Sequence, residues 1–238
     1  MTAPAYQTTH SPCGGLGLSL HGAAALLRPS GGLWLAAAGA LVVADLHLEK
    51  GSAYAARGQM LPPYDTGEAL DRLEAEVAAL APATLVFLGD SFHDRDGERR
   101  LAADYAARLR RLTVGRRLVW VVGNHDAEGP RDLPGEVADA VVLAGLTLRH
   151  APRPGRQPGE VSGHLHPCAR IVAASGRVRR RCFVTDGERA ILPAFGAYAG
   201  GLNVRDAAFD GLFARPPLAA ALGAGRVHAV GWRSLARD

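Results

Sequence analysis

The sequence contains little that would place it in a membrane or cross-link it covalently. It has 238 residues but only three cysteines, which form no CxxC pair and, being odd in number, cannot all pair within one chain. The longest apolar run, LWLAAAGALVVA, is too short to span a bilayer and ends at an aspartate. The N-terminal stretch MTAPAYQTTHSPCGG has neither the basic nor the apolar region of a secretion signal. We therefore expect a soluble, cytoplasmic protein without membrane contact, whose thiols stay reduced.

Lysine is almost absent as well. Lys50 is the only lysine, and arginines supply the other positive charges, so that 27 basic residues face 23 acids and the formal net charge is +4. This mildly positive charge permits an anionic partner without requiring one. Hydrophobic residues make up 48% of the chain, which is enough for a sizeable core, and 29 glycines with 15 prolines predict many tight turns.

The first half of the chain alternates between predicted strands and helices. Strands over AAALLRP, GLWLAAA and ALVVADL precede a helix over DTGEALDRLEAEVAALA, in which Asp65 or Thr66 can act as the cap. The strand TLVFLGD, a helix over ERRLAADYAARLRRL and the strand RLVWVVGNHD follow. After about residue 138 we expect strands and hairpins, with one short helix over AAFDGLF. Because continuous apolar strands belong to sheets covered on both faces, we predict an α/β fold of two stacked sheets inside helical layers, in one domain spanning residues 1–238.

Polar clusters recur where the predicted strands end. DLH stands at 45–47, GDSFH at 89–93 and GNHD at 123–126, and a strand-end histidine and then GHLH at 163–166 follow. Ligands gather outside the carboxyl ends of strands in α/β sheets, so we expect these side chains on one rim. Residues two apart on a strand point to the same side, which aligns Asp45 with His47 and His164 with His166 if the strand geometry persists.

These residue types are those of a metal site without thiolates. Carboxylate, amide oxygen and imidazole suit manganese, iron or zinc, whereas the lack of thiolates argues against a closed structural zinc site. A carboxylate such as Asp90 can bridge two ions about 4 Å apart, and such a pair clamps a phosphate ester. Each cluster alone has an ordinary structural explanation, but their joint order argues against chance. His10, His21 and His228 are expected to be ordinary histidines, and His93 is compatible with either class.

In this order, the motifs resemble those of the calcineurin-like metallophosphoesterase superfamily. The resemblance implies a two-sheet β-sandwich flanked by helices, in the four-layer order αββα, with two divalent metal ions. It also implies one set of ligands for each ion and one bridging residue between them: Asp45, His47 and His166 for the first ion, Asn124, His150 and His164 for the second, and Asp90 as the bridge. His125 would be catalytic, either stabilising the transition state or protonating the leaving oxygen.

The context of the first motif carries a narrower resemblance. VVADLHLEKGSAYAARGQMLPPYDT, together with LRHAP further on, is similar to the PdeM group of ligase-associated DNA damage response endonucleases. This implies a manganese-dependent phosphodiesterase and endonuclease that acts on DNA in repair and associates with a repair ligase, helicase or exonuclease; iron and zinc are the alternative metals. The short connection between the second and third motifs leaves no room for a large cap domain, and an open groove suits a polymer. Related sequences often carry Gly where Glu49 stands.

Two other functions remain open. The same fold hydrolyses small phosphodiesters or phosphomonoesters of nucleotides and lipid-sugar headgroups, and it serves as a non-catalytic scaffold where its metal set is degraded. The intact ligand set and His125 argue against a scaffold. Lys50 and Arg57 are compatible with contact to a substrate phosphate and equally with a structural role. Further candidates for contact with DNA, which also fit a solvated sheet edge, are Arg149, Arg153, Arg156, Arg177, Arg179, Arg180 and Arg181.

Overall fold

The computed structural model describes residues 6–173 and 176–238. Residues 1–5, on which the expectation of no secretion signal partly rests, lie outside these ranges. So do Ala174 and Ser175 of the predicted hairpin ARIVAASGRVRRR. Within the described ranges the chain forms two large β-sheets and four α-helices.

Eight strands form the first sheet in chain order. They are β1 (Thr8–His10), β2 (Leu16–Leu20), β3 (Ala23–Leu27), β4 (Leu33–Leu35), β5 (Ala40–Val43), β6 (Thr84–Leu88), β7 (Arg117–Val121) and β8 (Glu136–Ala138). Neighbours from β1 to β5 are antiparallel, whereas those from β5 to β8 are parallel. Parallel neighbours need crossover connections, and the helices α1 (Lys50–Ala55), α2 (Asp65–Leu80), α3 (Gly97–Arg100) and α4 (Ala103–Leu112) lie in two of them. The carboxyl ends of β5, β6 and β7 therefore meet at one rim.

Nine strands form the second sheet. They are β9 (Ala140–Leu143), β10 (Leu146–Arg149), β11 (Glu160–Ser162), β12 (Cys168–Ala173), β13 (Gly176–Thr185), β14 (Ala190–Ile191), β15 (Leu218–Leu222), β16 (Val227–Val230) and β17 (Leu235–Ala236). The order is β16-β15-β13-β14-β11-β10-β9, and β12 pairs with β13 and β17. Because β10 and β11 run parallel, their carboxyl ends also lie at one edge.

The two sheets stack face to face around the main core, and β6 shows how. Val86 and Leu88 point into the layer between the sheets, while Leu85 and Phe87 point to the other side, where they pack with α2 and α4. The continuous apolar run of this strand is therefore explained by burial on both faces. The predicted two-sheet α/β sandwich is confirmed.

The outer face of the second sheet is covered differently from that of the first. Val184 and Ala219 pack there against Phe213 and Trp232, which belong to irregular segments near the C-terminus. In the described part of the chain the helical turns on these segments are short 3-10 helices, at Ala207–Phe209 and Trp232–Ser234. The predicted helix over AAFDGLF is thus observed as a single 3-10 turn.

The long helix between β5 and β6 follows its prediction, with one difference at its start. Leu70, Leu73 and Val77 are buried on one stripe, as expected. However, the helix begins after Tyr64 without a side-chain cap, because the carboxylate of Asp65 accepts a hydrogen bond from the Gly51 N–H at 3.0 Å instead. This hydrogen bond of Asp65 therefore links α1 to α2.

The single helix predicted over ERRLAADYAARLRRL is wrong. The chain leaves the helical conformation at Leu101 and Ala102, whose ψ angles are 123° and 146°, and this separates α3 from α4. The reason lies in tertiary contacts: Arg100 donates to Asp94 at 2.7 Å and to Ser52 at 3.0 Å, which holds α3 beside the loop that follows β6. No helix in residues 6–173 or 176–238 is long and apolar enough to cross a membrane.

A buried ion pair joins the first sheet to α2 and generates a stability prediction. Arg28 Nε lies 2.7 Å from Glu76 Oε2, and both side chains are about nine-tenths buried. Glu76→Ala should reduce the free energy of unfolding by about 3–5 kcal/mol, because it leaves the Arg28 charge buried without a partner. The control is Glu74→Ala, also on α2, which removes a more exposed ion-pair partner of Arg108 on α4. This variant should lose about 1 kcal/mol or less of the free energy of unfolding. Urea unfolding followed by circular dichroism measures both, and equal losses would contradict the argument.

Candidate metal centre

Loops from both sheets converge at the rim formed by the strand ends. The backbone N–H of His47 donates to the Asp90 carbonyl at 2.9 Å, which joins the loops after β5 and β6. The backbone N–H of His164 donates to the Asp45 carboxylate at 2.9 Å, which joins the first sheet to the loop after β11. All seven predicted ligands and His125 are brought together in this region.

The first group of potential ligands contains Asp45, His47 and His166. Their ligand atoms lie within 4.8 Å of one another. Asp45 Oδ1 is 3.4 Å from His166 Nε2, and the Nε2 atoms of the two histidines are 3.2 Å apart. Burial, followed by the nearby positive charge of His166, lowers the pKa of His47 to about 3. His47 is therefore neutral at physiological pH, as a metal ligand must be.

The second group is centred on His150. Its Nε2 lies 3.0 Å from Asn124 Oδ1, 3.1 Å from His164 Nδ1 and 3.4 Å from Asp90 Oδ2. Its Nδ1 faces the carbonyl oxygen of Leu88 at 3.2 Å and can only donate there, so Nε2 of the neutral ring carries a lone pair. Asp90 Oδ2 also lies 4.0 Å from His47 Nε2 of the first group. Asp90 thus stands between the two groups.

The donor set fits divalent cations. Around the neutral His150 ring, the neighbours of Nε2 are oxygens and a nitrogen that present lone pairs to a common point. Although burial disfavours a charged imidazole, the hydrogen bond to Asp90 and the charges of Asp45 and Asp90 raise the pKa of His150. This position therefore favours positive charge, which a proton or a cation can supply. Nitrogen and oxygen donors without sulfur suit manganese, iron or zinc.

Backbone strain is concentrated at these residues. A positive φ is costly for residues other than glycine, at roughly 1–3 kcal/mol each. Five of the candidate ligands have φ between 45° and 69°: Asp45, His47, Asp90, His164 and His166. The strand geometry that we expected to align Asp45 with His47 does not persist, because β5 ends at Val43 and left-handed turns direct both side chains instead. His164 and His166 likewise serve different groups.

Two glycines of the motifs leave room for the carboxylates. A Cβ atom at Gly163 would lie 2.4 Å from Asp45 Oδ2, and one at Gly123 would lie 2.2 Å from Asp90 Oδ1. Both distances are far below van der Waals contact. Glycine therefore precedes His164 and Asn124 because each carboxylate packs against the backbone of the neighbouring loop.

Asp126 has a role that the sequence did not predict, although it ends the GNHD motif. Its buried carboxylate accepts hydrogen bonds from the backbone N–H groups of Ser91, Phe92 and Gly123, at 2.7, 3.2 and 3.0 Å. Burial raises the pKa of this carboxyl despite these bonds. Asp126 thus fixes the loop after β6 to the loop after β7, and so positions Asp90 relative to Asn124.

His125 lies on the open side of the centre. Its backbone N–H donates to Asp90 Oδ1 at 2.9 Å, and its Nδ1 donates to the carbonyl oxygen of His93 at 2.7 Å. Its Nε2 lies 3.9 Å from Asp90 Oδ2, and 39% of the side chain is exposed. The Nε2 atom is close enough to Asp90 and His47 to count as a further potential ligand, but its exposure distinguishes it from the buried groups.

His93, which the sequence left undecided, belongs to this site. Its ring stacks on that of His125 with centroids 5.5 Å apart, and it contacts His47 edge-on at 5.7 Å. Burial, and then the charge of Lys50, lower the pKa of His93 to about 4. In contrast, His10 and His228 lie exposed on β1 and β16, and His21 pairs with Glu188, as expected of ordinary histidines.

Comparisons with known proteins bear on this geometry. The sequence model of the family named Calcineurin-like phosphoesterase matches residues 40–192, which is more than half of the chain. The crystal structure of Pseudomonas putida nuclease MPE is similar with a TM-score of 0.69 and 30% sequence identity, covering 91% of this chain and 100% of that one. Yfce, a phosphoesterase from E. coli, matches with a TM-score of 0.38 and 17% identity over 81% of this chain and 98% of its own. No curated protein sequence matches significantly.

The close approach at Gly163 predicts a specific loss of metal binding. Gly163→Ala should displace the Asp45 carboxylate and weaken Mn²⁺ binding in the first group by roughly ten- to a hundredfold, the range seen when groups that orient ligands are lost. Gly231→Ala is the control, since a Cβ there has no atom within 4 Å. Calorimetric titration of the metal-free chains with Mn²⁺ measures both. Wild-type affinity in the Gly163 variant would contradict the packing argument.

The shared position of Asp90 predicts a larger effect than the loss of a ligand from one group. Asp90→Ala should remove both metal ions and abolish turnover, because both groups lose an oxygen and His125 loses the acceptor of its backbone N–H. His164→Ala, which affects the second group alone, should keep the first ion. Elemental analysis of the purified variants, with hydrolysis of bis(p-nitrophenyl) phosphate, tests this. Two ions per chain in Asp90→Ala would exclude a bridging role.

Proposed function

This chain belongs to the calcineurin-like phosphoesterase family, and from that premise we propose that it is a DNA endonuclease and phosphodiesterase that acts in DNA repair. Family membership and the two ligand groups make it a metal-dependent phosphoesterase, and hence a hydrolase. The observation that carries the proposal is the junction of these groups at Asp90, beside an exposed histidine and on an open rim. The similarity to a structure described as a nuclease supports the finer assignment.

We assign the ligands to two ions on the basis of the groups described above. Asp45, His47 and His166 would hold the first ion, Asn124, His150 and His164 would hold the second, and Asp90 would serve both. Two bound divalent ions neutralise charge on the phosphoryl oxygens and make water a nucleophile at neutral pH. Manganese is the proposed metal, with iron and zinc as alternatives that the same donors suit.

His125 is the proposed catalytic residue. Its Nδ1 is committed to the His93 carbonyl, so the ring is held with Nε2 towards the open side of the centre. A protonated His125 therefore has one N–H left, on Nε2, to donate to the leaving oxygen or to a non-bridging phosphoryl oxygen. The backbone N–H of His125 donates to the Asp90 carboxylate, and this bond fixes the position of His125 relative to the ligand groups.

A polymeric substrate fits the surroundings of the site. Of the two helices that follow the second motif, α4 packs on the sheet, where Leu109 and Leu112 are buried in the core, and α3 contacts α1 through Arg100 and Ser52. No segment between β6 and β7, all of which is described, forms a separate cap over the rim. Association with a repair ligase, helicase or exonuclease is part of the proposal and rests on the family resemblance alone.

The arginines predicted to contact DNA divide into two kinds. Arg181 donates to the backbone carbonyls of Ala194, Gly196 and Ala197 at 2.7–3.1 Å, so its guanidinium is engaged within the fold. Arg149 lies 3.6 Å from Glu160, and Arg179 donates to the carbonyl of Gly201. Arg179 is nevertheless exposed, as are Arg153, Arg156, Arg177 and Arg180, and these five remain candidates for DNA contact.

Circular DNA distinguishes this function from its alternatives. With Mn²⁺, the protein should convert closed circular single-stranded DNA and supercoiled plasmid to nicked or linear forms, because a circle has no end from which an exonuclease can start. Turnover of bis(p-nitrophenyl) phosphate without cleavage of any DNA would favour a small-molecule phosphodiesterase. A chain that binds no metal and hydrolyses neither substrate would be a scaffold.

The position of His125 predicts a loss that depends on the leaving group. His125→Ala should keep both metal ions and lose roughly 10²–10⁴-fold in the rate of DNA cleavage if it protonates the leaving oxygen. The loss should be much smaller for bis(p-nitrophenyl) phosphate, whose nitrophenolate leaves without protonation. His228→Ala, an exposed histidine on β16, is the matched control. Equal losses on the two substrates would show that His125 stabilises charge instead.

A further inference from the structure

We propose that Lys50, Arg57 and His93 form a binding subsite for the phosphate next to the scissile one, which we call the flanking-phosphate subsite. The inference rests on the proposed function, because only a polynucleotide or oligonucleotide carries a second phosphate in this place. It assigns a substrate contact to residues outside the metal ligands and His125. It also answers why the one lysine of the chain stands at the start of α1.

Helix α1 presents the relevant side chains on one side. Lys50 and Tyr54 have the spacing i and i+4, which places them on one helical face, and Arg57 lies in the turn that follows the helix. Lys50 Nζ lies 5.9 Å from the centre of the Tyr54 ring, and the Tyr54 ring lies 5.7 Å from that of His93. Arg57 continues the turn, since its backbone N–H donates to the Tyr54 carbonyl at 3.0 Å.

A series of aromatic rings connects the metal centre to Lys50. The His93 ring is 5.5 Å from the His125 ring, and the Tyr54 ring is 5.7 Å from the His93 ring. Lys50 Nζ lies 5.9 Å from the centre of the Tyr54 ring. Each step exceeds the length of a hydrogen bond. Lys50 and Arg57 are therefore placed to contact an anion that lies beside the one next to His125. In a nucleic acid strand, this second anion is the neighbouring phosphate.

Among the described residues, no carboxylate lies at ion-pair distance from Lys50 or Arg57, although Asp65 attracts Lys50 from further away. Lys50 Nζ donates a hydrogen bond to the Tyr198 carbonyl at 3.0 Å. Among these residues, His93 Nδ1 is buried without a hydrogen-bond partner, so a contact of His93 with an anion would be made elsewhere on its half-buried ring. An anion bound to Lys50 and Arg57 would supply the negative charge that lies next to neither of them.

The adjoining cleft is unsuited to the same role. It has a volume of about 320 Å³, begins at Phe92 and is lined by six carboxylates but only three guanidinium groups. Two of the three arginines pair with acids of the same cleft, Arg131 with Glu128 and Arg99 with Asp96. The excess of carboxylates would repel a phosphate, so we expect a nucleic acid strand to run along α1 rather than into this cleft.

Short oligonucleotides with and without an extra phosphate test the subsite. The substrates are a thymidine dinucleotide and its derivatives with one additional phosphate on the 5′ or the 3′ end, all cleaved with Mn²⁺ at constant ionic strength. The wild type should cleave one of the two phosphorylated forms with kcat/KM about tenfold higher than the plain dinucleotide, since a charge-assisted hydrogen bond has this magnitude. Most of the difference should lie in KM.

Arg57→Gln is the decisive variant, because Arg57 is exposed and its side chain makes no hydrogen bond or ion pair within the described residues. It should lower kcat/KM on the preferred phosphorylated dinucleotide about tenfold, to the level of the plain one, and Arg57→Lys should restore part of the preference. Arg111→Gln, which removes an exposed arginine from α4, should keep the preference. Lys50→Gln should reduce it in the same way as Arg57→Gln.

Two outcomes would overturn the subsite while leaving the proposed function intact. One is equal kcat/KM for all three dinucleotides with the wild type. The other is a preference that persists in Arg57→Gln and disappears in Arg153→Gln, an exposed arginine whose neighbours Pro152 and Pro154 line a cleft together with His164. Failure to cleave any dinucleotide or DNA, with normal turnover of bis(p-nitrophenyl) phosphate, would overturn the proposed function and the subsite together.

Discussion

The hydrogen bonds from two backbone N–H groups to two aspartate carboxylates hold the functional rim together. Asp45 receives the N–H of His164, and Asp90 receives the N–H of His125. The first bond joins the two sheets, and the second joins the loops after β6 and β7. Each acid therefore positions a residue of a distant motif while it remains available as a ligand itself. The glycines of the motifs follow from this arrangement, because a side chain at Gly163 would occupy the space of the Asp45 carboxylate.

The same bonds account for the left-handed backbone at the site. A non-glycine residue with positive φ persists only where its surroundings over-determine it. Glu49 illustrates the principle: it has φ of 64°, and its buried carboxylate accepts hydrogen bonds from Thr66 at 3.0 Å and Ser52 at 2.6 Å. The side chain of Glu49 thus holds the strained turn in place. Bound cations would add to this by neutralising the clustered carboxylates.

The order of motifs was sufficient to predict which residues meet at the rim, because β5, β6 and β7 are short apolar strands whose ends must lie together in a parallel sheet. What the sequence could not predict depends on contacts between distant segments. The break between α3 and α4 arises from the bonds of Arg100 to Asp94 and Ser52. His93 belongs to the site partly because its own backbone carbonyl accepts the hydrogen bond that orients His125, and no sequence pattern indicates this bond. The role of Arg181 depends on three carbonyls of a loop that no local pattern indicates.

Arg181 also shows why net charge is a poor guide to the substrate in this chain. The loop that it holds supports Asp45 from behind, since Phe195 and Gly196 donate their N–H groups to the carbonyls of Ala44 and Asp45 at 2.8 and 3.1 Å. Arg72 contributes a further bond to the Phe195 carbonyl at 2.7 Å. Arginines such as these add to the formal charge of +4 but are used inside the fold. What matters for an anionic substrate is where positive charge has no carboxylate at ion-pair distance, as is the case for Lys50 and Arg57 among the described residues near the metal centre.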